Sequence, residues 1–113
     1  MAKGNPSFLN GVPELVVLEL LSRGEMYGYE LVQAVRATTR EAINLGEGVI
    51  YPLLHALEKD GALKSRRAPA AGRIRVYYTL TSKGVRRLFD LTDDWGRLNG
   101  AVAAVLKGGA HAV

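Results

Sequence analysis

The sequence predicts a mainly α fold with one small β-hairpin. Three stretches of helical period lie between residues 12 and 61, two-residue alternation takes over up to residue 80, and a last helix carries heptad spacing. Residues 12–23 read as the first helix, with Pro13 suited to a first turn and Gly24 placed to end it. Leu15, Val16, Leu18, Leu20 and Leu21 cover more than one of its faces, which implies burial on two sides: against its own domain and a second subunit, or as the central helix of a monomer. "YGYELVQAVRATT", residues 27–39, gives a second helix with Leu31, Val32 and Val35 on one face and a polar connection after it.

"GEGVIYPLLHALEKDG", residues 46–61, gives the third helix, striped by Ile50, Leu53, Leu54 and Leu57. Pro52 lacks an N–H and crowds the preceding turn, so a helix start close to it or a bend there is expected, and Gly61 is a natural left-handed stop. "ALKSRR" and "RIRVYYTL" then alternate as strands, with Ile74, Val76 and Tyr78 set against Arg73, Arg75 and Tyr77. The "APAAG" between them is too long for a two-residue turn and predicts a projecting tip. Thr81 is placed to cap the last helix, in which Leu88, Leu91, Trp95, Leu98, Val102 and Val105 form a seam that asks for a partner helix. Gly96 and Gly100 weaken that helix by roughly 1 kcal/mol each relative to Ala, so packing has to supply its stability. The tail after Lys107 is expected to fray.

Composition narrows the function classes. The 113 residues carry a formal charge of +4 and no cysteine, which excludes disulfides, thiolate metal ligands and thiol nucleophiles. The run "VPELVVLELL" is broken by Glu14 and Glu19 and is too short to span a bilayer, and the N-terminus lacks a signal-peptide pattern, so a cytoplasmic protein with no membrane partner is expected. His55 and His111 are the sole histidines, and no nucleophile, metal or phosphate-loop pattern stands near them, which argues against an enzyme, a metal site or a cofactor. Charge placement is more telling. From Lys64 to Arg87 there are eight cations, Lys64, Arg66, Arg67, Arg73, Arg75, Lys83, Arg86 and Arg87, and no acid. A solvated surface normally mixes signs, so the hairpin reads as a phosphate-contacting element. Three helices, a basic hairpin and a further helix are the order of a winged helix-turn-helix, here residues 8–80, followed by a C-terminal dimerisation helix at 81–107 and a flexible tail at 108–113.

"GEMYGYEL" at 24–31, "GVIYPLLHALEKDGAL" at 48–63, "GRIRVYYTLT" at 72–81 and Trp95 together resemble the PadR-like transcriptional regulators, in their short form without an extra C-terminal domain. The resemblance implies a homodimer, joined through the C-terminal and first helices, that binds double-stranded promoter DNA and usually represses. It also implies that the third helix is the recognition helix, with Tyr51 facing DNA and Gly48 leaving room at its start, and that Arg73 and Arg75 are basic wing residues. Tyr27 and Tyr29 flank the glycine of the family's second-helix motif. With Lys64, Arg66 and Arg67 these residues make up the candidate DNA-contacting set. For Tyr51 a plain alternative stands beside DNA contact: its ring caps the core while its hydroxyl reaches water. For the arginines, phosphate clamping and minor-groove entry both remain open.

In some short members a tryptophan placed like Trp95 stacks on planar drugs in a chamber across the dimer interface. The corresponding effector set here is Phe8, Leu15, Val16, Leu91, Asp94 and Trp95, with a small planar or aromatic molecule as the expected effector. Trp95 has an equal claim as dimer core between Leu91 and Leu98, and Asp93 or Asp94 as solvated helix surface. The chain departs from the family pattern at Glu25, where proline is commoner, at Tyr27 (histidine), at Ala56 (arginine) and at Val76 (lysine); the last two remove charge near the expected DNA surface. Two rival functions are a protein–protein adaptor that uses the helical seam and a DNA-binding regulator without ligand response.

Overall fold

The computed structural model describes residues 5–111, and side chains from residue 11 to 108. Four helices and three strands follow in the order α1 (Asn5–Ser22), β1 (Met26–Tyr27), α2 (Gly28–Thr38), α3 (Glu47–Lys59), β2 (Leu63–Ala70), β3 (Arg73–Leu80) and α4 (Ser82–His111). The strands form one antiparallel sheet in the order β1-β3-β2. The mainly α architecture with a basic hairpin is therefore as the sequence predicts.

The core is closed within residues 17–78. Val17, Leu18, Leu20 and Leu21 of α1 meet Leu31, Val32 and Val35 of α2, Ile50, Leu54 and Leu57 of α3, and Ala62, Leu63 and Tyr78 of the sheet. Each fully buried aliphatic side chain contributes about 1.5–3 kcal/mol. Unlike the expected start at Pro13, α1 begins at Asn5 and runs through that proline, which leaves one internal N–H bond unmade. Pro52 is likewise internal, in the second turn of α3, with neither a helix start nor a stop beside it. Gly24 does not adopt a left-handed conformation; its N–H simply donates to Leu21 O at 3.3 Å. Gly61 does, at φ +84, and the N–H groups of Gly61 and Ala62 donate to Glu58 O and Leu57 O at 3.0 and 2.9 Å, closing α3 in a Schellman motif.

Two expectations about the sheet are corrected. Residues 26–27 are not the start of the second helix but a short third strand, pairing Met26 with Tyr78 and Tyr27 with Tyr77; helix geometry begins at Gly28, where Glu30 Oε1 accepts the Tyr27 N–H at 3.0 Å. The hairpin has no five-residue tip. Ala68, Pro69 and Ala70 are paired opposite Arg75, Ile74 and Arg73, and the turn is only Ala71 and Gly72, both at positive φ (52 and 77). That is the two-residue geometry whose twist matches the strands, and glycine at its second position makes it accessible despite an alanine at the first.

Thr81 caps α4 as expected, its Oγ1 accepting the Gly84 N–H at 3.1 Å. Gly84 lies so close to the start of β2 that a Cβ placed on it would stand 2.1 Å from Ala62 O. This contact fixes where α4 leaves the body. Beyond it, α4 packs on α1 and then projects, which gives the molecule extents of 60 × 32 × 22 Å. Its helix continues to His111, past the expected end at Lys107.

Candidate nucleic-acid interface

Strand register sorts the hairpin's side chains onto two faces, because paired residues share a face and neighbours alternate. Leu63/Leu80, Ser65/Tyr78, Arg67/Val76 and Pro69/Ile74 occupy one face; Lys64/Thr79, Arg66/Tyr77, Ala68/Arg75 and Ala70/Arg73 occupy the other. Buried Tyr78 anchors the first face to the core, and Ser65 Oγ donates to Glu58 Oε2 of α3 at 2.7 Å, so this is the side on which α3 lies. Arg67 and Arg66, adjacent in sequence, consequently do different things.

Arg66 is engaged. Its guanidinium forms a two-pronged ion pair with Glu25, with Nε 3.0 Å from Oε1, and lies over the Tyr77 ring at 5.2 Å. The hydrogen bond from Arg66 holds the Glu25 carboxyl below its ordinary value. Tyr77 in turn meets Tyr27 edge to face at 5.5 Å, and Arg75 stacks on the other ring at 4.4 Å. An Arg–Tyr–Tyr–Arg series therefore runs across β2, β3 and β1 and stiffens the base of the hairpin. Arg87, also in the acid-free run, bridges Glu14 and Asp60, both at 3.5 Å, and Lys83 Nζ donates to Asp60 O at 2.7 Å. The run lacks acids in sequence only; Glu14, Glu25 and Asp60 reach it from α1, the β1 approach and the end of α3. Among the described residues Lys64, Arg67, Arg73 and Arg86 make no ion pair, and all four are exposed.

A groove of about 230 Å³ separates α3 from the hairpin, lined by Tyr27, Gly28, Tyr51, His55, Ile74, Arg75, Val76 and Tyr78. Tyr51 is half-buried, with its ring laid on Gly28: a Cβ there would stand 2.3 Å from Tyr51 Cε1 and 2.9 Å from the hydroxyl. The glycine between two tyrosines is thus needed for close approach. Arg75, whose guanidinium lies over the Tyr27 ring, has its Nε buried without a hydrogen-bond partner. Gly48 is exposed with open space around it, Tyr29 is exposed on α2, and Tyr27 is half-buried inside the aromatic series. His55, Tyr77 and Glu25 belong to this region although the sequence did not place them in the candidate DNA-contacting set: one lines the groove from α3, and the other two are joined to it through strand pairing and a contact spanning 41 residues.

The candidate effector residues are not brought together within one chain. Leu15 and Val16 line a cavity of about 280 Å³ between α1, the end of α2 and α4, together with Glu19, Leu20, Arg23, Val35, Thr38, Thr39 and Thr92. Leu91, Asp94 and Trp95 are not in its lining, and the side chain of Phe8 lies outside the described residues. Asp94 and Asp93 both form ion pairs with Arg97 along α4. On the seam, Leu88 and Leu91 pack against the core, Leu98 is half-buried, and Trp95, Val102 and Val105 are exposed to 43%, 48% and 72%.

Comparison with known proteins accounts for this arrangement. The chain is 32% identical to the transcriptional regulator Rv3488 of Mycobacterium tuberculosis over 104 residues, which cover 92% of each protein. It is 35% identical to the transcriptional regulator YqjI of Escherichia coli over 81 residues, or 72% of this chain and 38% of that longer protein. A PadR family transcriptional regulator from Eggerthella lenta has a crystal structure that superposes with a TM-score of 0.75 at 30% identity, covering 88% of this chain and 86% of that one. Bacillus subtilis PadR in complex with operator DNA superposes at 0.64 and 28% identity over 70% of this chain and 45% of that one. With residues 17–93 matching the family as a whole, the chain belongs to the PadR-like family of transcriptional regulators, and not to a family of enzymes.

Proposed function

We propose that the chain is a homodimeric, sequence-specific DNA-binding repressor, in which α3 enters the major groove and the hairpin serves as a wing on the flanking backbone. The observation that carries this reading is the groove between α3 and β3, lined by Tyr51 and His55 of α3 and by Arg75 of the hairpin, beside a hairpin that also bears exposed Arg67 and Arg73, on a fold that superposes on a relative solved with operator DNA. Phosphate contacts supply most of the affinity, and α3 side chains such as Tyr51, together with DNA shape, supply the selectivity. Tyr29 and Gly48 flank the approach of α3, Lys64 adds charge at the base of the hairpin, and Arg66 and Tyr27 act by holding the wing in place.

The homodimer reading is supported by the second half of α4, where Val102, Val105 and Leu106 leave an apolar stripe exposed on a projecting helix. A second copy would close that stripe and wall the cavity beside Leu15 and Val16, whose 280 Å³ sits at the lower end of small-molecule sites. A planar aromatic effector bound there would relieve repression by changing the separation of the two α3 helices. Duplexes drawn from the gene's own promoter should bind more tightly than scrambled duplex across a salt series; equal binding would remove sequence-specific regulation. Since Trp95 is the chain's one tryptophan, its fluorescence reports on flat aromatic compounds, and unchanged ligand affinity in Trp95→Ala would remove direct stacking.

A further inference from the structure

The far end of the hairpin differs chemically from its base. Arg66 and Arg75 are stacked on tyrosines near the body, whereas the last paired positions are Ala68, Pro69, Ala70, Arg73 and Ile74, closed by Ala71 and Gly72. Pro69 and Ile74 are register partners on the α3-side face, one step beyond Arg67 and Val76. Strand alternation gives Ile74 an inward position like Val76 and Tyr78, yet it is 63% exposed because the hairpin has by then passed the edge of the core. An isoleucine–proline pair is thus presented at a slender tip whose turn carries only a methyl group and a hydrogen. Arg67, which makes no ion pair among the described residues, precedes the pair on the same face, and exposed Arg73 adjoins Ile74 on the opposite face.

We propose that Pro69 and Ile74 form an apolar wedge that the wing lays in a minor groove beside the α3 site, selecting A·T pairs there by excluding the amino group of guanine. The proposal rests on the DNA-binding reading above and assigns the wing a share of specificity in addition to backbone charge. Its occupant follows from charge and shape together: cations stand beside an apolar tip, and a minor groove roughly 6 Å wide carries phosphates on both rims and, at A·T pairs, a floor without the protruding guanine amino group, where the adenine C2–H lies between the adenine N3 and thymine O2 acceptors. Isoleucine and proline are among the side chains that minor-groove proteins use against base steps. Val76 also finds its place. The strand position lacks charge, but Arg67 is its direct cross-strand partner on the same face, so the cation is supplied by β2.

The test uses the full chain and a palindromic duplex selected with it from a random pool. The A·T pairs under the wings are replaced by G·C and, separately, by inosine·C, which has the G·C major-groove pattern without the minor-groove amino group. Wild-type protein should bind the G·C version roughly tenfold more weakly and the inosine version nearly as well as the original. Ile74→Ala should erase that difference while keeping the wild-type thermal transition and salt slope, because Ile74 is uncharged and mostly outside the core. Equal binding to all three duplexes overturns the wedge, as does discrimination that survives in Ile74→Ala. Failure to select any duplex above the random pool overturns the DNA-binding reading and the wedge with it, and so differs from failure of the wedge alone.

Discussion

The two halves of α4 carry one uninterrupted seam and meet opposite fates. Leu88 and Leu91 lie against the core of their own chain, and Gly11 of α1 comes close enough that a Cβ there would stand 3.7 Å from Leu91. Val102 and Val105, three residues apart in the same register, are exposed on the part of the helix that projects. A heptad repeat specifies only that apolar contact is needed; the body of this chain supplies it at Leu88 and Leu91. The glycines make the same division. Gly84 is walled in by Ala62 O, whereas a Cβ on Gly96 or Gly100 would meet nothing within 4 Å among the described residues.

The sharpest way to break this division is at Gly84. Gly84→Val should cost about 3 kcal/mol or more, because the obstructing atom is backbone and cannot rotate away; chemical denaturation should register it as a large drop in midpoint, and a neutral outcome would mean α4 can leave the body elsewhere. Next in size, a Val102→Glu, Val105→Glu double variant should weaken self-association about a hundredfold by placing carboxylates in the proposed apolar interface, read by sedimentation, while circular dichroism of the body stays intact. Gly28→Ala should cost about 2 kcal/mol by pushing the Tyr51 ring off its seat, and Tyr51→Ala in the same chain should return part of that loss. Gly96→Ala should gain roughly 0.5–1 kcal/mol in helix stability; a loss at concentrations favouring the dimer would place a partner backbone against it.

The two groups of arginines invite a finer test. On a bound duplex, Arg67→Ala and Arg73→Ala should each reduce the salt slope by about 0.9, whereas Arg66→Ala, already paired with Glu25, should change it less. Acid titration separates Glu25 from Glu14. The Glu25 carboxyl is held low by the Arg66 hydrogen bond, so its stabilisation is present above the ordinary carboxylate range and lost as pH falls through its folded value. Glu14 is raised, chiefly by burial and against the pull of Arg87, so its contribution is present below that range and lost as pH rises through its folded value. Stability followed by urea denaturation from pH 3 to 7 should lose the second component in Glu14→Gln and keep the first.

Helical stripes, the left-handed stop at Gly61 and the cap at Thr81 were legible because each is a local rule about side-chain spacing or a single φ. The hairpin tip was misread because "APAAG" has the composition of a loop, and nothing local says that three of its residues will pair when a positive-φ Ala–Gly turn sets the register. The partners of Arg66 and Arg87 were hidden for a related reason: absence of acid along the run says nothing about acids delivered from α1, from the β1 approach or from the end of α3.

By itself the sequence determined the order of elements, which faces are apolar, the presence of a positively charged hairpin and the need of the last helix for company, since all of these depend on periodicity and residue chemistry within a few turns. Tertiary structure alone decided that Arg66 is held while Arg67 and Arg73 are exposed, that Tyr51 sits on Gly28, and that Leu88 and Leu91 are covered by the core while Val102 and Val105 are exposed. Those outcomes depend on strand register and on where one backbone passes another, distances between atoms far apart along the chain that no local pattern encodes.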